Sequence, residues 1–156
     1  MSSPPTTAPP KLKQGDARWF FGNLAVIRAT AEDTGGKYTL VDVTAPAGLE
    51  SPLHVHHVED EGFLVLEGSV MIEVDGERHD LSAGQFALGP IDVPHRYVVG
   101  PQGVRMLWVL TPSGFEDLVA AASIEAPTMT TPPPDLAPPA NAAEIVASFG
   151  NELLSY

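Results

Sequence analysis

Three of the five histidines of this chain fall within four positions, in the stretch "SPLHVHHVEDEGFLVLEG" spanning residues 51–68. Imidazoles beside carboxylates make either proton-transfer sites or metal sites. The spacing separates the two. In an extended strand, residues i and i+2 project to the same face. His54 and His56 therefore point together, and His57 points the other way. A short turn through Val58, Glu59 and Asp60 returns the chain at Glu61, whose carboxylate can face the same space. His95, preceded by Pro94, opens a later strand that an antiparallel barrel can bring close to the first pair. Three neutral imidazoles and one carboxylate suit a divalent transition metal: Fe, Mn, Ni, Co, Cu or Zn. They fill four positions, and an octahedral ion keeps two open for substrate, water or dioxygen.

The elements that must position these residues read as all-β. The runs 19–30, 38–45, 61–68, 69–81, 85–90, 95–100 and 104–110 are short, apolar or alternating, and separated by turn residues. Asp75-Gly76 between two such runs is a strong hairpin signal. This many strands at close spacing, with no helix among them, predict a sandwich or small barrel. Ser113 and Glu116 have the spacing of a capping box, and Phe115, Leu118, Val119 and Ala122 follow at helical intervals, so a short helix is expected over an end of the barrel. Residues 127–140 contain six prolines and read as an extended linker. Asn141 and Glu144 open a second short helix, with Gly150 as its stop. The expected organisation is an N-terminal arm over 1–14, a barrel with its helix over 15–125, and a proline-rich tail with a terminal helix over 126–156.

Composition narrows the function. The absence of cysteine excludes disulfides, thiolate metal sites and a cysteine nucleophile. Twenty acidic against 8 basic residues give a net charge of −12, which repels phosphate backbones and anionic lipid; neither nucleic acid nor membrane is an expected partner. No apolar run approaches the roughly 20 residues that span a bilayer. The first residues hold no apolar stretch of the secretory type, so a cytoplasmic protein is expected.

Glycines and prolines at fixed offsets make the cluster more specific. Gly48, His54, His56, Glu61 and Gly68 match every position of the first motif of the cupins, G-x5-H-x-H-x4-E-x6-G. Gly84, Pro90 and His95 match the second, G-x5-P-x-G-x2-H-x3-N, with Asp92 in place of its glycine and Val99 in place of its asparagine. The chain thus resembles the cupin superfamily over roughly residues 15–125. The resemblance implies a small double-stranded β-helix (jelly-roll) barrel with His54, His56, Glu61 and His95 as metal ligands, and a homodimer. Within the cupins it looks most like the single-domain quercetin-dioxygenase-like subgroup. In that group a flavonol is ligated through its hydroxyl, a metal-bound glutamate takes the hydroxyl proton, and dioxygen adds across the ring with loss of carbon monoxide. Carried over, this implies a metal-dependent dioxygenase acting on a flavonol-like or other enolisable aromatic substrate, with Glu61 as both ligand and general base. The alternatives are a non-redox cupin enzyme, such as a polyketide cyclase or isomerase, and a small-molecule-binding cupin without turnover. Phe63 on the face of Glu61, Tyr97 on the face of His95, and Met106 and Trp108 alternating on the last strand are candidate walls of an aromatic pocket.

Overall fold

The computed structural model describes residues 8–155. Residues 1–7 of the expected N-terminal arm lie outside the described residues. The elements in chain order are β1 (Ala17–Phe20), β2 (Asn23–Ala29), α1 (Ala31–Thr34), β3 (Thr39–Ala45), β4 (His54–His56), β5 (Asp60–Val74), β6 (Glu77–Ser82), β7 (Phe86–Gly89), β8 (His95–Thr111), α2 (Phe115–Ala122), β9 (Ile124–Glu125), α3 (Ala142–Ser148) and β10 (Asn151–Leu153). The strands form a single antiparallel jelly-roll barrel carrying short helices after β8, as the sequence predicts.

Two strands organise it. Over its whole length β5 pairs with β8, from Asp60 opposite Thr111 to Val74 opposite His95. β8 also carries β3 along its second half, and it touches β4 at His54 opposite His95. The sequence divides each long strand in two, and the structure joins the halves. A close approach makes this possible. Gly68 has φ +75, and a Cβ there would meet the Gly103 carbonyl oxygen at 2.1 Å. The two strands meet here at a pair of glycines, and the ladder shifts register on either side, between Val65 and Glu67 and between Gly68 and Val70. Alternate residues of β5, β8, β3 and β2 fill the interior: Phe63, Val65, Met106, Trp108, Val41, Val43 and Ile27 are all buried.

Other expectations meet local detail. Residues 19–30 form two strands, because Phe21 and Gly22 adopt positive φ (48° and 81°) and close a tight hairpin between β1 and β2. The Asp75-Gly76 hairpin joins β5 to β6 with φ of 50° and 80°, the signs a type I′ turn demands. A helical turn, α1, stands where the sequence shows only turn residues between the runs 19–30 and 38–45. Thr30 caps it by accepting the Asp33 amide, and the Asp33 carboxylate accepts the Thr30 amide. The expected capping box of α2 does not form. Its N-cap is Gly114, and Glu116 is drawn inward, where it accepts from the Thr39 hydroxyl at 3.0 Å and the Ala31 amide at 3.3 Å. Asn141 is the N-cap of α3 but makes no side-chain cap bond. Residues 126–141 hold no helix or strand, in keeping with their prolines. After α3, Gly150 (φ 84°) reverses the chain into β10, which pairs with β4. The tail thus closes over its own barrel.

Candidate metal centre

β4 sits at one mouth of the barrel, and its alternation puts His54 and His56 on the inner face. His95 is the first residue of β8, and Glu61 the second of β5. The structure brings these four together: their ligand-type atoms all lie within 4.8 Å of one another. Three Nε2 atoms converge on one carboxylate oxygen. From Glu61 Oε1, His95 Nε2 lies at 3.0 Å, His56 Nε2 at 3.2 Å and His54 Nε2 at 3.8 Å. His95 is wholly buried, and Glu61 and His56 nearly so.

The orientations are fixed from behind. His54 Nδ1 lies 2.7 Å from the Pro52 carbonyl, and His95 Nδ1 lies 3.2 Å from the Val93 carbonyl. A carbonyl only accepts, so each Nδ1 donates, which leaves Nε2 as the atom each ring can offer to an ion. His56 rests its Nδ1 on Glu59 Oε1 at 2.9 Å. A glycine makes room for the third imidazole. A Cβ at Gly89 would meet His95 Nδ1 at 2.8 Å.

The electrostatics fit a cation. Burial pushes the His54 imidazole below its ordinary range, so it is neutral. Burial also opposes a charge on His56, but Glu61 and Glu59 outweigh it and raise His56 to about 9. For Glu61, burial opposes ionisation. The surrounding imidazoles, His56 first, prevail and hold it well below the usual carboxylate range. His56 Nε2 is buried and, despite its 3.2 Å approach to Glu61, is not aligned for a hydrogen bond with any described residue. A buried Nε2 with no hydrogen-bond partner, facing an ionised carboxylate and two further Nε2 atoms, completes a donor set that a metal ion satisfies once it displaces the proton from His56.

A cavity of about 60 Å³ opens on this cluster. Its walls are Phe20, Phe21, Trp108 and Tyr97 from the barrel, Phe115 and Leu118 from α2, and Val146, Asn151 and Leu153 from the tail. Of the four candidate pocket residues, Tyr97 and Trp108 line it. Phe63 and Met106 do not; both are fully buried one layer deeper, Phe63 edge-on to the His95 ring at 5.9 Å between centroids. The Tyr97 hydroxyl donates to Asn23 Oδ1 at 2.9 Å, and burial raises its pKa, so it stays a neutral phenol. Trp108 Nε1 is buried with no partner among the described residues. His57 points outward and sits between Asp92 (2.7 Å) and Glu152 (3.3 Å). Asp92, standing where the motif has glycine, keeps the positive φ (67°) that the turn requires. Asp tolerates this conformation better than most side chains.

Glu59, Gly89 and Asn151 serve the site without belonging to any spacing the sequence singles out. Glu59 is three residues after His56 on a turn, a signal present but mute until the turn is built. Asn151 lies 92 residues from Glu59 and gives no local signal at all.

A jelly-roll barrel that gathers three histidines and a glutamate at one mouth defines the class. The cupin domain family profile matches residues 41–110, and the chain belongs to the cupin superfamily. It is 34% identical over 108 residues to a quercetin 2,3-dioxygenase from Bacillus subtilis, an alignment covering 68% of this chain and 32% of that protein. It is 33% identical over 78 residues to the polyketide synthase CurC of Streptomyces cyaneus, covering 49% of this chain and 51% of that protein. The chain thus spans a third to a half of the length of these curated relatives. Among solved structures, KdgF from Halomonas sp. superposes with a TM-score of 0.55 at 22% identity, over 61% of this chain and 83% of that one. This likeness concerns the fold.

Proposed function

We propose that this cupin holds one divalent transition metal through His54, His56, His95 and Glu61 and acts as a dioxygenase on a flavonol-like or other enolisable aromatic substrate. The observation that carries the proposal is the cavity: an aromatic, almost wholly apolar chamber whose polar end is the three-histidine, one-glutamate cluster. Phe20, Phe115, Tyr97 and Trp108 offer edges and faces to a flat ring and exclude water from it. The ion, once bound, supplies a Lewis acid that makes a substrate hydroxyl more acidic. Glu61 is ionised and takes the hydroxyl proton on its carboxylate. The 34% identity to a quercetin 2,3-dioxygenase supports the substrate class.

The cavity also constrains the substrate. About 60 Å³ holds roughly four to six waters. A three-ring flavonol needs more room than this, and a smaller enolisable ring fits with less rearrangement of the walls. The test is dioxygen consumption by the metal-loaded chain with quercetin and with one-ring enolisable analogues, together with detection of carbon monoxide. Turnover that proceeds unchanged without dioxygen overturns the redox reading. It favours the second one, a non-redox cyclase or isomerase, which the resemblance to the polyketide synthase CurC supports.

The chain is further proposed to be a homodimer. The outer face of the barrel sheet carries exposed Phe86 and Leu88 beside half-exposed Leu64, Leu107 and Val109 on adjoining strands. A second copy laid against this face would cover a contiguous apolar surface.

A further inference from the structure

The three histidines of the cluster are not held alike. His54 and His95 rest their Nδ1 atoms on backbone carbonyls two residues upstream, so their anchors come with the strand itself. His56 rests on a side chain, Glu59 Oε1 at 2.9 Å. The same oxygen accepts the Asn151 amide at 2.8 Å. Asn151 Oδ1 in turn accepts the His57 backbone N–H at 3.1 Å. His56, Glu59 and Asn151 are 3%, 5% and 5% exposed, so water does not readily replace any partner. Asn151 is the first residue of β10 and sits directly opposite His56 in the ladder.

We propose that Asn151 is a positioning residue for the metal centre. By fixing Glu59 it holds His56 in the tautomer and orientation that present Nε2, so that docking of the tail and binding of an ion favour each other. The proposal rests on the reading that the four-residue cluster holds a metal. A carboxylate only accepts, so Glu59 obliges His56 Nδ1 to donate and leaves Nε2 as the ligand atom. Held by the imidazole alone, a carboxylate at the end of a three-torsion side chain can rotate away. The Asn151 amide is the second bond that fixes it. β10 itself asks only for backbone groups at this position, and any strand-forming residue would supply them. Asparagine, a poor strand former, is explained by the two side-chain bonds it makes on either side of His56.

The experiment uses the full chain, stripped with a chelator and titrated with Co²⁺. Affinity is read by calorimetry and ligand geometry by the visible absorption of the bound ion. Asn151→Ala is expected to lose about 10- to 100-fold in affinity and to change the absorption envelope. Glu59→Ala should do the same, and Asn151→Ala added to it should cost nothing further, because both act through one link. Glu59→Gln keeps an oxygen acceptor and should recover part of the loss. Glu152→Gln, an exposed neighbour on the same strand, should leave the affinity unchanged. A second arm needs no variant. Amide exchange of residues 151–153 in the natural chain should slow when Co²⁺ is added, since coupling between two events is reciprocal. Asn151→Ala with the natural chain's affinity and spectrum, additive losses in the double variant, or tail exchange indifferent to Co²⁺ each overturn the proposal. A natural chain that takes up no ion overturns the metal reading itself, and is told apart from those results by the first titration.

Discussion

Gly89→Ala tests whether the space behind His95 is as tight as it looks. Gly89 lies opposite Glu61 on β7, and its φ is not in the left-handed region, so alanine brings no backbone strain. The new Cβ would meet three atoms of the His95 ring, Nδ1 at 2.8 Å, Cε1 at 2.9 Å and Cγ at 3.0 Å, whereas ordinary contact begins at 3.4 Å. The ring must retreat by about 0.5 Å. It cannot do so freely: it is fully buried, with the His54 ring 4.4 Å away and Phe63 behind it at 5.9 Å. The Nδ1 contact with Val93, 3.2 Å at the outset, has no slack to lengthen. Overpacking of this kind costs about 1–3 kcal/mol of stability. A displaced ligand should weaken metal binding about 10- to 100-fold, or about 1.4–2.7 kcal/mol. Thermal melting of the metal-free chain reads the first effect, and Co²⁺ titration reads the second. Native affinity and an unchanged melting curve would refute the steric reasoning. A lowered melting temperature with native affinity would show that the strand gives way and the ring does not.

Four further outcomes are expected. Glu61→Gln keeps shape and an oxygen donor while three imidazoles remain, so some metal should stay bound while dioxygen consumption falls by about 100-fold or more; native turnover would show that Glu61 is not the base. In the metal-free chain His56 carries a proton up to about pH 9, and an ion must displace it. Apparent Co²⁺ affinity should therefore rise about tenfold per pH unit through neutrality and level off near pH 9, and a flat profile from pH 6 to 9 would contradict this. The sign for metal-free stability is opposite: the raised His56 pKa stabilises fully below about 6.5, and that contribution disappears as pH rises through about 9, which denaturant titration across this window will detect. Phe86→Asp places a charge on the exposed outer face and should yield monomers in sedimentation analysis without lowering the monomer's own stability; an unchanged assembly would move the interface elsewhere.

Most of the barrel is legible in the chain because strand periodicity is local. So are the four residues of the cluster, because His54, His56 and Glu61 are held by one turn and His95 opens its own strand. What the sequence hides depends on partners far away. Glu116 has the spacing of a cap, yet it turns inward because Thr39 and the Ala31 amide wait there with unpaired donors. Phe63 and Met106 show the same alternation as Tyr97 and Trp108. Periodicity tells inside from outside but not depth along the barrel, and depth decides which residues reach the cavity. β10 is three residues long and follows a glycine turn, so nothing in its own composition announces a strand.

That small strand has a consequence for how the protein assembles. β4 joins the body of the sheet through one ladder position, His54 opposite His95, and its other edge is satisfied by β10. Until residues some ninety positions downstream arrive, the strand bearing two of the histidines displays a row of unpaired N–H and C=O groups. Such an edge recruits strands from other chains. The barrel can be largely complete while this edge is still open, so the hazardous species in folding is an almost-native one. Closing so long a loop adds little to its equilibrium cost, since loop entropy grows only logarithmically with length. The burden falls instead on time: the interval between building the barrel and capping β4 is the window in which nascent chains meet one another.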